Sequence, residues 1–423
     1  MKILIESAKV IDQKSPYHNQ IVDILIDNKK IVSIEPGIKA NDVDQVIRFD
    51  NLHVSRGWFD SSVSFGEPGW EERETLLNGL KTAQRSGFTA VALNSGNYPV
   101  TDSKGAVSFL ISKAASQPVS LYPIGSLTKE SKGVDLAELY DMQQAGAVAF
   151  NDYKKAVRHP NLLKIALQYA QNFNGLVQSF PQEEKIAADG QVNEHQNSTY
   201  LGLKGIPALA EELQIIRDLY ILEYTGGKLH IPTISTAKSV AIIKDAKKRG
   251  LDVTCSVAIH NLYFSDDILK EFNTNAKVMP PLRTTDDCQA LLKGLEDGTI
   301  DMVTSDHYPI DIENKKTEFD HALFGTIGLE SAFGALLKLT SLEATISALT
   351  RGRARFQIPE FPIEAGALAD LTLFDPSQKY VFSTDHIIST SKNSIFLNQE
   401  LQGGVLGTVY NGIYSPSAPG QPE

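Results

Sequence analysis

Cysteine is nearly absent from the 423-residue chain. Only Cys255 and Cys288 occur, without the paired spacing of a zinc site or the count of a disulfide framework, so both read as core or surface thiols of a reducing compartment. Basic residues are also scarce: 40 Lys and Arg face 51 Asp and Glu, a net charge of −11. That balance disfavours non-specific contact with nucleic-acid phosphates. The tracts Lys154-Lys155 and Lys247-Lys248-Arg249 are short and read as solvated helix faces. No apolar run approaches the ~20 residues of a membrane-spanning helix, so no membrane association is expected. Glu6 falls where the apolar core of an export signal would continue, and a cytoplasmic location is therefore expected. Hydrophobic residues at 42% and charged residues at 22% place the chain with globular rather than disordered or fibrous proteins.

The length suffices for one large domain with a smaller companion. Residues 1–55 alternate β-branched runs with turn signals, at Lys2 to Ile5, Val22 to Ile26, Ile31 to Ile34 and Gln45 to Phe49. That pattern predicts a small antiparallel sheet. Residues 365–423 repeat the style at Asp370 to Phe374, Ser394 to Phe396 and Val405 to Ile413, so both ends are expected to build one composite β domain. Asp370 reads as a turn residue, and the Pro-rich tail Ser415–Glu423 as disordered.

Residues 56–364 carry eight strand-like runs, near 58–64, 89–94, 119–125, 147–151, 175–179, 228–234, 252–257 and 300–305. Between them lie helical periodicities such as Leu76, Leu80, Ala83 and Val240, Ile243, Ala246. A first helix is predicted over Glu71 to Ser86. Eight βα repeats favour a (β/α)8 barrel over an open doubly wound sheet, with a long loop within 180–206. Such barrels place their chemistry at the C-terminal strand ends. The residues there are Ser62 and Ser64, Asn94, Asn151 and Asp152, Ser179, Thr233, His260, and Asp306-His307.

The stretch Gly57 to Gly69, with Asp60-Ser61-Ser62-Val63-Ser64-Phe65 at its heart, resembles the opening of the amidohydrolase superfamily barrel, and of the dihydroorotase family in particular. Further markers are Arg85-Ser-Gly-Phe-Thr89, Gly202-Leu-Lys-Gly-Ile-Pro207 with Glu211, Pro280-Pro-Leu-Arg283, Asp306-His-Tyr-Pro309, Gly325-Thr-Ile-Gly-Leu-Glu330 and Gly366-Ala-Leu-Ala-Asp370. The resemblance covers nearly the whole chain. It implies a zinc-dependent hydrolase of cyclic amides, in which imidazoles and carboxylates bind metal and a bridging hydroxide attacks.

Carried over residue by residue, the implied ligand set is degenerate. The family's four metal-binding histidines fall at Ser62, Ser64, Ser179 and Thr233. Its bridging lysine or aspartate falls near Asp152, and its aspartate, Asp306, is kept. The substrate side departs in parallel: the arginine for the carboxylate corresponds to Gly66, an asparagine to Met279 and a later histidine to Ile310, while a second asparagine has its counterpart among Asn94, Gly96 and Asn97. Without a guanidinium fork the substrate carboxylate has no bidentate partner.

The chain is therefore most like the non-catalytic dihydroorotase-like proteins. No zinc or other cofactor and no catalytic residue is expected, Asp306 being the general base only in an active enzyme. The resemblance implies partnership with aspartate transcarbamoylase in pyrimidine biosynthesis, and a homo-oligomer is expected. The rival reading is an active dihydroorotase or related cyclic-amide hydrolase with an atypical site. A metal-free hydrolase pairing Ser62, Ser64 or Ser179 with His260 or His307 would need a hydrogen-bonded base and an orienting acid. His230, His260 and His307 read as hydrogen-bonded core residues, and His53, His159, His195, His321 and His386 as lying in loops or exposed helix ends.

Overall fold

The computed structural model describes residues 1–39 and 42–417. Apolar strands alternate with amphipathic helices: β1 (Trp58–Val63), α1 (Leu76–Arg85), β2 (Phe88–Leu93), α2 (Lys104–Ala114), β3 (Ser120–Gly125), α3 (Leu139–Gln144), β4 (Ala149–Phe150) and α4 (Pro160–Ala170). The second half continues with β5 (Leu176–Gln178), α5 (Ala208–Thr225), β6 (Lys228–Ile231), α6 (Ala237–Lys248), β7 (Val253–Ala258), α7 (Thr285–Glu296), β8 (Met302–Thr304) and α8 (Leu329–Leu339). Shorter helices occupy the connections. Strands of this kind are buried on both faces, so they run as near-continuous apolar or small residues.

The eight strands pair in sequence order as one parallel sheet. Closure comes where β1 meets β8: Val63 bridges His307, and the Ser64 amide donates to the His307 carbonyl at 2.8 Å. The fold is the (β/α)8 barrel that the repeat count predicts. All eight strands overlap the expected windows, with Phe88–Leu93 and Val253–Ala258 each extending one residue beyond.

The Asp60 carboxylate, wholly buried, locks that seam. It accepts from the Thr304 hydroxyl, from the Ser305 amide at 2.9 Å and from the Ser62 amide at 3.0 Å.

Strands from both ends of the chain share a second sheet. Lys2–Val10, Ile21–Asp27, Lys30–Glu35, Gln45–Ile47 and His53–Arg56 join Asp370–Val381, Glu400–Tyr410 and Ile413–Pro416. The contact between the two halves is antiparallel, with Leu371 opposite Arg56 and Phe374 opposite His53.

Several local expectations are corrected. Residues 71–75 turn rather than coil: the helix begins at Leu76 because the Thr75 hydroxyl caps it, accepting from the Asn78 amide at 3.2 Å. Residues 394–396 form no strand; Ile395 and Phe396 instead insert into the barrel core from a turn. His53 is buried in a strand rather than placed in a loop. Ser415 and Pro416 belong to a paired strand, and residues 418–423 of the Pro-rich tail lie outside the described residues. The run 180–206 contains two short helices and a two-stranded parallel pair, Val192–Asn193 with Gly205–Ile206.

Asp370 is more than a turn residue, because it ties sheet to barrel. Arg353 donates to Asp370 Oδ2 at 2.8 Å, to Thr89 Oγ1 at 2.6 Å and to the Pro359 carbonyl at 3.1 Å, and both charged side chains are buried. A Cβ on Gly57 would lie 1.9 Å from Asp370 Oδ1 and 2.0 Å from Thr89 Oγ1, so only glycine admits this cluster. Removing one partner of a buried pair strands the other charge. Arg353→Met should therefore cost about 3–5 kcal/mol in urea unfolding, and adding Asp370→Asn should recover part of the loss.

Candidate functional site at the barrel mouth

The strand ends converge as the barrel geometry requires, and the residues that meet there are mostly neutral. Ser62 Oγ donates to Asp306 Oδ1 at 3.2 Å and accepts from Asn94 Nδ2 at 3.0 Å. Asn94 also reaches the Val63 carbonyl at 3.1 Å and Ser64 Oγ at 3.4 Å. Thr233 lines the same small cavity. Asp152 and Ser179 lie nearby but are committed elsewhere. Asp152 accepts from Ser126 Oγ at 2.8 Å, the Thr128 amide at 3.0 Å and Thr128 Oγ1 at 2.5 Å, anchoring the loop after β3. Ser179 donates to Asp218 Oδ2 on α5 at 2.6 Å.

The residue that sequence reasoning missed is Lys154. Its side chain is only 12% exposed, so the Lys154-Lys155 tract is not a solvated helix face. Lys154 Nζ donates to Asp306 Oδ2 at 2.8 Å and to the Met279 carbonyl at 2.7 Å. The ammonium also lies 5.5 and 5.4 Å from the ring centroids of Tyr153 and Tyr308, in cation–π range. Its position two residues beyond Asp152 was a signal only in hindsight, because a loop's side-chain directions cannot be read from spacing.

Electrostatics follow from this contact. Burial raises the Asp306 pKa, and Lys154 opposes the shift. Burial, then the Asp306 charge, push the Tyr153 phenol well above its ordinary value. Three residues around the cavity, Lys154, Thr233 and Asp306, have φ of 53°, 49° and 47°. Such left-handed backbone in bulky residues is uncommon and concentrates at functional sites.

The positions implied for substrate are closed. A Cβ on Gly66 would fall 1.8 Å from the Trp70 carbonyl oxygen, so the folded 66–74 loop admits no side chain there, least of all an arginine. Met279 packs with Phe180, Ile206 and Ala210 and offers only its carbonyl. Ile310 is fully buried, its amide donating to Asn393 Oδ1 at 3.1 Å. The cavity bounded by Ser62, Asn94, Lys154, Phe180, Thr233 and Asp306 measures about 10 Å³. That is roughly the room of one water, against the ~300 Å³ of an ordinary ligand pocket.

The donor set does not fit zinc. Ser62, Ser64, Ser179 and Thr233 present neutral hydroxyls, Asp152 is engaged by Ser126 and Thr128 of the loop after β3, and Asp306 already holds an ammonium. Among the described residues no three His, Cys, Asp or Glu side chains converge.

The histidines also decide against a serine hydrolase. None of Ser62, Ser64 and Ser179 hydrogen-bonds an imidazole. His230 pairs with Thr254 Oγ1 at 2.9 Å and Ser256 Oγ at 3.2 Å. His307 Nδ1 accepts the Gly328 and Leu329 amides at 3.3 and 3.4 Å. His260, expected to be hydrogen-bonded, is buried with both ring nitrogens unpartnered.

The framework markers have structural employment. Arg283 donates to Asn193 Oδ1 at 2.8 Å, the Ile206 carbonyl at 2.7 Å and Ser235 Oγ at 3.1 Å. Glu211 accepts the Ser235 and Thr236 amides at 2.8 and 3.1 Å. Together they fasten the 192–206 connection to the loop after β6.

The fold and the strand-end layout define an amidohydrolase-type barrel. The L-hydantoinase (dihydropyrimidinase) of Arthrobacter aurescens superposes with a TM-score of 0.85 at 20% identity, covering 97% of this chain and 95% of that one. A dihydropyrimidinase from Brevibacillus agri gives 0.81 at 20% identity over 98% and 95%. At that identity the likeness concerns the fold. A family model described as dihydro-orotase-like matches residues 53–239. The chain is 36% identical to the dihydroorotase of Geobacter metallireducens over 97% of its length and 99% of that protein. It is 38% identical to that of Pelotomaculum thermopropionicum over 97% and 98%. The chain belongs to the dihydroorotase family.

The buried imidazoles set a pH dependence. Burial lowers His260 and His230 to about 3 and His307 to about 4. Each binds a proton more readily when unfolded, so their contribution is complete above about pH 6.5 and declines as pH falls toward the folded values. His260→Leu removes one such proton. It should reduce the slope of unfolding free energy against pH by about 1.4 kcal/mol per unit between pH 6 and 4, measured by urea titration.

Proposed function

We propose that this chain is a dihydroorotase homologue of pyrimidine biosynthesis that no longer hydrolyses cyclic amides and acts in the cytoplasm as a structural partner of aspartate transcarbamoylase. One observation carries the loss of chemistry: the Lys154 ammonium rests on Asp306 inside a cavity of about 10 Å³. A carboxylate serving as general base must reach the proton it takes. Here one oxygen is engaged by a cation and the other by Ser62. The packed loop at Gly66 supports the same reading, since it leaves no place for a guanidinium.

The partnership rests on the family resemblance set out from the sequence. It accounts for a fold kept intact around a mouth filled with hydroxyls and one ion pair, which leaves no isolated buried charge there. The second reading, an active dihydroorotase, is favoured by the names of the relatives at 36–38% identity. It requires the 66–74 loop and Lys154 to vacate the mouth.

Turnover of dihydroorotate and carbamoyl aspartate should match a heat-denatured control. Zinc after dialysis should fall well below one per chain. Ser62→His with Ser64→His should restore neither, because Ser179, Thr233, Gly66 and Lys154 remain. Wild-type turnover abolished by Asp306→Ala would establish the active enzyme instead.

The partnership is tested separately. The chain should co-elute with aspartate transcarbamoylase of the same organism at micromolar concentration, and the transcarbamoylase should lose activity or stability in its absence. Clean separation with normal transcarbamoylase activity in a deletion strain would remove the proposed partner.

A further inference from the structure

Lys315 ends the short helix Ile312–Lys315 in the loop after β8 and is 4% exposed. Among the described residues its Nζ has two partners, the Leu323 carbonyl at 2.8 Å and the Lys277 carbonyl at 3.3 Å, and neither is a carboxylate. A buried ammonium without a counter-ion is costly. Burial, then the positive charges of Lys277 and Lys154, lower the Lys315 pKa to about 7. The bonding pattern agrees with a neutral amine. An ammonium carries three N–H donors, and the third would find no acceptor here; a neutral amine has two, which the two carbonyls take, and its lone pair stays free. Lys277, by contrast, is fully engaged, donating to Gln191 Oε1 at 3.2 Å and to the Phe319 and Asp320 carbonyls at 2.7 and 3.0 Å.

Lys315 also lines a cavity of about 810 Å³, bounded by the loop after β8, the turn at 274–275 and the segment 390–393. That volume lies in the range of small-molecule sites, ~300–1,000 Å³. The cavity shares no residue with the one of about 10 Å³ at the barrel mouth. Its rim is richer in free cations than in free acids. Lys392 bonds only the Ile387 carbonyl, at 2.8 Å, and Lys316 is exposed with no carboxylate within 4 Å among the described residues. Of the acids, Asp311 is held by Arg73 at 3.4 Å and Asn314 at 2.9 Å, and Glu72 lies 3.8 Å from Arg73, which leaves Glu313. On a chain with a net charge of −11, this local excess favours an anionic occupant.

We propose that Lys315 is the imine-forming residue of a separate ligand site, which captures small anionic aldehydes or 2-oxo acids in this cavity. The Nζ lone pair attacks the carbonyl carbon, the two Nζ protons leave with the carbonyl oxygen as water, and a C=N bond joins ligand to chain. Lys316 and Lys392 supply the charge for the ligand's carboxylate. A lysine kept only to tie the loop at Leu323 and Lys277 would need neither the cavity nor the free rim cations.

Glyoxylate is the probe, with cyanoborohydride supplying the hydride that reduces the imine to a stable amine, and peptide mass mapping locates the adduct. At pH 7 Lys315 should be modified at least 10-fold faster than Lys316 or Lys392, and its rate should saturate with glyoxylate concentration. Glycolate, the same kind of anion without a carbonyl, should slow it by competition. The Lys315 rate should reach half its maximum near pH 7, as its lowered pKa requires, whereas exposed lysines follow the ordinary value of about 10.4. Lys315→Arg, which keeps a cation but forms no imine, should abolish this adduct and leave the slow labelling of exposed lysines unchanged. Labelling confined to exposed lysines overturns the proposal, and so does Lys315 labelling that neither saturates nor responds to glycolate, which marks an adventitious amine. Should Lys315→Arg fail to fold, the wild-type map, saturation and competition still decide. None of these readouts involves dihydroorotate turnover or aspartate transcarbamoylase, so the reading of the barrel mouth stands or falls separately.

Discussion

At the barrel mouth an ammonium and a carboxylate meet at 2.8 Å, and most of the local structure follows from accommodating them. Both charges are withdrawn from water, which costs several kcal/mol per ion unless hydrogen bonds and neighbouring dipoles compensate. The compensation is visible: Met279 turns its carbonyl to Lys154, two aromatic rings flank the ammonium, and Ser62 donates to the second oxygen of Asp306. A hydrolytic metal centre brings together several anionic and imidazole donors around positive ions. Here a single side chain supplies the positive charge, and the surrounding donors shrink to hydroxyls and an amide.

This exchange explains why the family framework outlasts the family's site. Arg283, Glu211, Asp60 and Asn393 each tie backbone segments that converge on the mouth. Asn393 alone reaches the Ile310 amide and the Tyr308 and Gly325 carbonyls. Losing any one would leave a buried polar group unmatched, a penalty of about 1–3 kcal/mol whether or not chemistry occurs. Ligand positions carry no such burden once the mouth is closed, and serine or threonine satisfies them.

The barrel was legible because its signals are local: apolar runs at regular spacing, with helical periodicity between them, located all eight strands. The strand-end positions of Ser62, Thr233 and Asp306 followed from the same count. Direction beyond a strand end did not. Asp152 reads as facing the centre, yet its oxygens turn to Ser126 and Thr128, and Lys154 reads as surface yet points inward. Left-handed backbone at Lys154 redirects that loop, and φ is invisible in a residue name outside glycine. His260 likewise gave no sign that its ring nitrogens would be unpartnered. The strand His53–Arg56 was missed because its four residues alternate polar with β-branched or small ones too briefly to declare a period.

The seam between His53–Arg56 and Asp370–Val381 orders events on the ribosome. The early strands emerge long before Leu371 can reach Arg56, so one edge of their sheet waits, unpaired, while the whole barrel is synthesised. Loop closure over that separation is slow, and an open edge invites pairing with another chain. Translation thus creates an interval in which the nascent protein is exposed to strand exchange. That interval ends only when the last fifty or so residues arrive to cover the edge.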